Sequence, residues 1–301
     1  MPSVSARRPR SVRRSFDDKL LPVLLVTPAL VVIAGLVGYP VLRTGWLSLT
    51  DADGLRALTD GEMAFIGLGN YLRILEDPVL RRVSLVTVGF GLACVAATMV
   101  VGVAVALLLN RRFRGRGVLA VLVLLPWAIP NVAASFVWKW IFHDQYGILN
   151  WALGLDGFAW FNHWLTAFAV IGVVVVWQSF PFVAVALLAG LQTIPGEVID
   201  AARVDGAGGW QQLWRIRLPM LKPLLLVLVV ISTIWDFKVF DQVYVLTEGD
   251  PTRRNEVLAV SIWREAIAQL HIGLGSALAM VLFLILILFT IGYVWLAREQ
   301  A

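Results

Sequence analysis

Six long apolar runs separated by short polar stretches dominate the chain: residues 20–49, 83–109, 118–142, 165–191, 224–246 and 273–297. A helix rises about 1.5 Å per residue, so about 20 apolar residues cross a hydrocarbon layer roughly 30 Å thick. All six runs meet or approach that length. Inside lipid a backbone must satisfy its polar groups within its own segment, which makes helix the spanning form. The alternating ten-residue pattern of an outer-membrane barrel does not occur in the sequence. The pattern predicts an all-α integral membrane protein of six transmembrane helices, forming one domain over 20–301 behind a basic tail at 1–19. Two runs are irregular in an informative way. The first carries no charge from residue 20 to 42, whereas the fifth is interrupted by Asp236, Lys238 and Asp241.

The basic residues alternate between connections as orientation requires. The tail holds Arg7, Arg8, Arg10, Arg13, Arg14 and Lys19, and the second connection is the compact basic turn Arg111-Arg112-Phe113-Arg114-Gly115-Arg116. The fourth connection carries Arg203, Arg215, Arg217 and Lys222. In contrast, the first connection mixes its arginines with Asp51, Asp53, Asp60, Glu62, Glu76 and Asp77, and the stretch 143–164 has neither Lys nor Arg. Both termini are therefore expected in the cytoplasm. A basic tail before an apolar run also describes a cleaved signal peptide, but this run exceeds the usual h-region and no small-residue cleavage site follows it, so a retained first helix is expected.

Composition agrees with this pattern. The chain of 301 residues is 59% hydrophobic and 15% charged, against about half and about a quarter for soluble domains. The formal charge of +5 does not point to nucleic acid, because the arginines sit in short turns between runs that cannot face a phosphate backbone. The one cysteine, Cys94, excludes an intramolecular disulfide and a multi-cysteine metal site. His143, His163 and His271 are far apart and form no H-E-x-x-H pattern, so they read as interfacial polar residues.

The loop at 193–219 holds the most specific motif. It reads Ile194-Pro195-Gly196-Glu197-Val198-Ile199-Asp200-Ala201-Ala202-Arg203-Val204-Asp205-Gly206-Ala207 and ends Ile216-Arg217-Leu218-Pro219. Pro195 suits the first turn of a helix. Val198, Ala201 and Ala202 then share a face of small side chains that another protein surface can approach closely. Gly206, Gly208 and Gly209 permit a change of direction. On spacing alone, an amphipathic helix lying on the membrane surface fits equally well.

This segment resembles the EAA loop of permeases in binding-protein-dependent ABC importers, E-A-A-x-x-D-G-A followed by I-x-L-P. The matches are Ala201, Ala202, Asp205, Gly206, Ala207, Ile216, Leu218 and Pro219; Asp200 replaces the usual Glu, and Leu213 stands where Phe is common. Other stretches resemble the sugar-importing branch of that family: Phe65-Ile66-Gly67-Leu68-Gly69-Asn70-Tyr71, Leu125-Pro126-Trp127-Ala128-Ile129-Pro130, Trp177-Gln178-Ser179-Phe180-Pro181-Phe182, Leu188-Ala189-Gly190-Leu191-Gln192 and Val243-Tyr244-Val245-Leu246-Thr247-Glu248-Gly249-Asp250-Pro251, the last with Asp250 in place of a glycine.

The resemblance implies a type I importer permease fold in which Glu197, Asp200, Ala201, Ala202, Asp205, Gly206 and Ala207 form a coupling helix against an ATPase. It further implies a second, related permease as heterodimer partner, two ATPase subunits carrying ATP and Mg²⁺, an extracytoplasmic sugar-binding protein, and bacterial inner-membrane lipid as surroundings. This chain itself would carry no cofactor and catalyse no reaction. None of its four lysines, Lys19, Lys139, Lys222 and Lys238, follows a glycine, so the sequence contains no G-x-x-x-x-G-K-[ST] phosphate loop.

Ionisable residues within a span are costly and usually face a bundle interior or watery cavity. On straight helices, Asp236 lies ~21 Å along from Lys222, Trp127 and Asn131 lie ~15 and ~21 Å from Gly117, and Gln178 and Phe182 lie ~20 and ~26 Å from Leu165. Lys139 would then snorkel to the outer surface. Asp241 reads as interfacial or as an i, i+3 partner of Lys238. Pro130 and Pro181 can kink their helices. The resemblance adds Trp127, Asn131, Gln178, Ser179, Phe182, Ser232, Trp235 and Asp236 as substrate-path residues; equally, Trp127, Phe182 and Trp235 fit bundle packing, and Ser232 fits an interhelical hydrogen bond. Aromatic faces beside amides and a carboxylate suit a sugar. A secondary transporter using Asp236 and Asp241 for ion coupling would leave the EAA-like loop without a purpose, and an intramembrane enzyme finds no H-E-x-x-H, G-x-S-x-G or paired acids. A topology reporter fused after Gly157 should read as extracytoplasmic; a cytoplasmic readout overturns the predicted orientation.

Overall fold

The computed structural model describes residues 16–54, 56–59, 63–247 and 253–298. The basic tail before residue 16, Asp60, Glu62 and the Glu248–Pro251 end of the last motif lie outside these. The chain divides at Trp46 into two units. The first is one apolar helical run, α1 (Phe16–Ile33), a π-helical stretch (Ala34–Gly38) and the body of α2 (Tyr39–Leu47). Its hydroxyls are satisfied locally: Thr27 Oγ1 donates to the Val23 carbonyl at 2.7 Å and Thr44 Oγ1 to that of Pro40 at 2.8 Å, the back-bonding that lets a polar group sit in an apolar helix.

The second unit, from Leu47 onward, begins with the short helices α3 (Arg56–Thr59) and α4 (Gly69–Glu76) and the long α5 (Pro78–Asn110). Pro78 occupies the first turn of α5, and the Asp77 carboxylate caps it by accepting from the amides of Val79 at 2.7 Å and Leu80 at 3.3 Å. After the basic turn come α6 (Arg116–Ala128), α7 (Asn131–Ile141) and α8 (Ile148–Leu153), then the long α9 (Trp164–Thr193). The predicted loop forms α10 (Gly196–Val204), α11 (Gly209–Gln212) and α12 (Leu218–Met220); α13 (Lys222–Phe237) and α14 (Asp241–Thr247) follow, and α15 (Leu258–Trp263) leads to α16 (Ile272–Arg298). Among the described residues the only extended pairing is an isolated bridge between Thr50 and Phe65.

Among the described residues, counting the first run, five helical stretches are long and apolar enough to span a membrane, and α6 with α7 makes a sixth as a bent pair. α5 buries a stripe at i, i+3 and i+4 spacing, Val83, Thr87, Gly91, Cys94, Thr98, Gly102 and Ala106. In lipid, helix association depends on close fit more than on hydrophobic drive, and small residues allow that fit. Gly102 is where Val183 of α9 packs, and Gly91 is where the Phe237 ring of α13 packs; a Cβ at either would come within 2.5 Å of its neighbour. α5 thus meets α9 and α13 through its glycines. The Thr87 hydroxyl donates to Val83 O and also accepts the Leu258 amide at 2.8 Å, tying the segment before α15 to the same helix.

Two spans depart from straight helices. Ile129 precedes Pro130 and is extended (φ −82°, ψ 132°), as the proline ring requires of the residue before it. The result is a 100° bend between α6 and α7, not a kink. The straight-helix depths expected for Asn131 and Lys139 therefore do not hold. Lys139 does not end at an outer surface alone: its Nζ donates to the Val245 carbonyl of α14 at 3.2 Å. The fifth span breaks at residues 238–240, and among the described residues Lys238 makes no ion pair with Asp241. Pro181, by contrast, is absorbed within a continuous α9.

Between α14 and α16 lies a compact ion cluster. Glu256, whose side chain is fully buried, takes a two-pronged contact from Arg253 (2.7 and 3.0 Å), and Arg253 also reaches Glu265 at 3.2 Å. Burial alone would lower the Arg253 guanidinium, but the Glu256 hydrogen bond and the charges of Glu256 and Glu265 outweigh it and hold it above its usual value. At the other end of this face Asn70 donates to the carbonyls of Ser48 (3.0 Å) and Thr50 (2.8 Å), and Gly273 packs on the Thr50 carbonyl where no side chain fits. The Phe65–Tyr71 motif is thereby a clasp for the start of α16. Gly91→Ala should displace Phe237 and cost about 1–3 kcal/mol, read as a lower thermal midpoint of the detergent-purified protein, and Phe237→Leu in the same chain should restore part of it.

Candidate functional site

A cavity of about 550 Å³ lies where the two broken spans face α9. Trp127 and Asn131 line it from the two sides of the α6–α7 bend, Gln178 and Ser179 from α9, and Trp235, Asp236, Lys238, Asp241 and Gln242 from the α13–α14 break. The proline at 130 creates the first side of this arrangement. It ends α6 and frees the Ile129 carbonyl, which then accepts from Gln178 Nε2 at 3.4 Å. Gln178 Nε2 also donates to Asn131 Oδ1 at 3.2 Å, Gln242 Nε2 donates to Gln178 Oε1 at 2.7 Å, and Asn131 Nδ2 donates to Asp241 Oδ2 at 3.2 Å. Four side chains from three elements thus form one connected network around the bend. Irregular backbone at membrane depth is tolerated where it lines a cavity, and paired breaks of this kind mark binding sites in transport proteins.

Asp236 is the polar group this network leaves out. It is 2% exposed, and its Oδ1 accepts from Ser179 Oγ at 3.2 Å. Its Oδ2 is buried without a hydrogen bond of normal length, the Thr98 hydroxyl of α5 being the nearest donor that acts on the carboxylate. A buried acceptor in that state is expensive unless a ligand or another group completes it. Around it stand aromatic rings. Phe182 stacks with Trp127 at 6.3 Å between ring centres and meets Trp235 edge-on at 5.0 Å. The two tryptophans line the cavity and Phe182 lies behind them, so Phe182 supports the wall and is not part of it.

Of the eight substrate-path residues expected from sequence, six line one cavity: Trp127, Asn131, Gln178, Ser179, Trp235 and Asp236. Ser232 is buried one turn before Asp236 and does not reach the lining. Gln242 and the cavity-facing positions of Lys238 and Asp241 were missed. Asp241, expected at the interface or paired with Lys238, is instead held by Asn131. The signal available was the cluster of three charges within the fifth run, which marks a break as readily as a set of buried ions.

The loop helix α10 has its own logic. Its C-terminus is closed by a Schellman arrangement: the Gly206 amide donates to Arg203 O at 3.0 Å and the Ala207 amide to Ala202 O at 2.8 Å. Gly206 sits at φ +81°, a left-handed conformation that favours glycine, which explains why the D-G-A triplet needs its middle residue. Glu197, Val198, Ala201, Val204 and Asp205 are exposed on one side, Val204 to 88%. Ala202, expected to share that small-residue face, is buried against its own chain. Asp200 is exposed at the edge of that face, one turn before Val204, and pairs with Arg203 at 2.8 Å.

The chain is 37% identical to the permease protein SmoG of a sulfoquinovosyl glycerol transport system from Agrobacterium fabrum, over 94% of this chain and 92% of that one. It is 36% identical to the trehalose/maltose permease protein MalF of Thermococcus litoralis over 94% and 95% of the two chains, and 36% identical to the diacetylchitobiose permease protein DasB of Streptomyces coelicolor over 93% and 88%. In fold it matches a chain of a bacterial ABC transporter that imports the acidic polysaccharide alginate, with a TM-score of 0.78 at 19% identity, covering 94% of this chain and 96% of that one. The family model for the inner membrane component of binding-protein-dependent transport systems matches residues 98–300, spanning the cavity, α10 and the last four spans. The broken spans, the capped loop helix and these matches make the chain a multi-pass inner-membrane permease that belongs to the binding-protein-dependent transport system family.

Proposed function

We propose that this permease imports a sugar or sugar derivative by alternating access, and that the cavity between the α6–α7 and α13–α14 breaks is the place where the sugar rests in transit. The observation that carries the reading is Asp236 Oδ2, a buried acceptor without a hydrogen bond of normal length, beside two tryptophan faces. A pyranose offers hydroxyl donors for such an oxygen and apolar C–H faces for such rings. Relatives named for sulfoquinovosyl glycerol, trehalose/maltose and diacetylchitobiose transport support a carbohydrate cargo.

Both termini face the cytoplasm, so α10 lies on the side where ATP is available. Its exposed face, Glu197, Ala201, Val204 and Asp205, is small enough to seat in a groove of an ATPase subunit, with Gly206 and Ala207 fixing the helix end. Two such subunits, carrying ATP and Mg²⁺, drive a heterodimer of this chain and a second, related permease. An extracytoplasmic binding protein delivers the sugar; a solved alginate importer of the same fold is in complex with its oligosaccharide-bound periplasmic protein.

Asp236→Ala should lower sugar uptake by the reconstituted complex roughly tenfold or more, the scale of one lost hydrogen bond to a charged group, while the complex still assembles. Unchanged uptake and sugar-stimulated ATP hydrolysis in assembled complex overturn the cavity assignment. Ala201→Arg should separate the two roles, abolishing uptake and stimulated hydrolysis through loss of ATPase seating; full coupling in that variant removes α10 from the mechanism.

A further inference from the structure

A second, larger cavity opens beside α10, and the sugar path does not use it. It has a volume of about 1170 Å³ and lies between the basic turn, the ends of α5 and α9, and the loop helices. Arg111, Arg112, Arg116, Arg203 and Arg217 line it against the single carboxylate Asp200, a net charge of +4. Asp200 is already engaged by Arg203 at 2.8 Å. Arg217 has only a long contact to Gln212 Oε1 at 3.5 Å. Arg111, Arg112 and Arg116 make no ion pair or side-chain hydrogen bond among the described residues. A concentration of positive charge of this kind opposes itself unless an anion joins it.

The rest of the lining indicates what that anion is attached to. Leu107 and Leu191 lie in the last turns of α5 and α9, at the ends of two helices long and apolar enough to span a membrane, and Leu213 and the exposed Trp210 close the far side. The groove is therefore basic at the depth of lipid headgroups and apolar next to the acyl region. Basic pockets between transmembrane helices on the cytoplasmic side suit anionic headgroups. α10 presents Gly196, Ile199, Asp200 and Arg203 to this groove. The face proposed for the ATPase is made of other residues, Glu197, Ala201, Val204 and Asp205, which do not line the groove, so docking there leaves it open.

We infer that this groove binds the phosphodiester headgroup of an anionic phospholipid from the cytoplasmic leaflet, with its glycerol and upper acyl chain against Leu107, Leu191 and Trp210. The bound lipid would tie the basic turn to α10 through charge, making the position of the loop helix sensitive to the composition of the leaflet.

The test is native mass spectrometry of the detergent-purified full chain, alone and with its ATPase subunits, titrated with dioctanoyl phosphatidylglycerol and, separately, dioctanoyl phosphatidylcholine. The expected result is selective retention of phosphatidylglycerol in both preparations, with affinity falling about fivefold for each arginine removed along R111Q, R111Q/R112Q and R111Q/R112Q/R116Q. The triple variant R111K/R112K/R116K should keep the lipid, as should R114Q, which changes the same turn outside the groove. Four outcomes overturn the proposal: equal retention of the two lipids, no loss in the glutamine series, displacement of phosphatidylglycerol by equimolar inorganic phosphate, or binding only when the ATPase subunits are absent, which would make the groove part of their seat.

Discussion

Inside a bilayer a carbonyl or amide that loses its helical partner has no water to turn to, and this constraint organises the centre of the molecule. Pro130 forces Ile129 out of helical geometry and leaves main-chain groups exposed at the bend. Gln178, from the uninterrupted α9, takes up the freed Ile129 carbonyl, and from it the network extends to Asn131, Gln242 and Asp241. The cavity exists because these side chains hold two helix breaks open against one straight helix. Asp236 stands apart from the network, held by Ser179 on one oxygen and with the other buried without a hydrogen bond of normal length beside the Thr98 hydroxyl.

The surrounding packing keeps that arrangement in place with close contacts more than with large buried surfaces. Gly91 brings α5 against Phe237, the residue next to Asp236, and Gly102 brings the same helix against α9 beyond Gln178. The position of the carboxylate is thus set in part by a glycine on a helix that contributes nothing to the cavity lining. The loop helix α10 is fixed differently, by main-chain bonds at its C-terminus that depend on Gly206, so its two faces are presented at a constant angle to each other.

Much of this was legible in the residues. The lengths of the apolar runs set the number of spans, and Trp127, Gln178 and Asp236 were drawn together by their depths on neighbouring helices. The 100° bend was not legible, because a proline within an apolar run is compatible with an absorbed kink, as at Pro181, or with a full break, as at Pro130. At Pro130 a donor is at hand, Gln178 Nε2, which bonds the freed Ile129 carbonyl and offsets part of the cost of the break. Gln242 was missed for the same reason: its inward position follows from the break at 238–240, and a continuous fifth helix would turn it elsewhere. Ala202 is turned inward because the spacing of small residues does not reveal which side of α10 rests on its own chain.

The half-helices that follow the two breaks carry a mechanical consequence. α7 and α14 are fastened to each other at both ends, by Asn131 to Asp241 and by Lys139 to the Val245 carbonyl. Each is joined to the half before it, α6 or α13, through two or three non-helical residues. Two such fastenings couple the leaves of a double flap: a swing of one at Ile129–Pro130 draws on the other at residues 238–240. Stiffening either hinge would arrest both leaves, so the weakest elements of these two spans are the ones on which their joint movement turns.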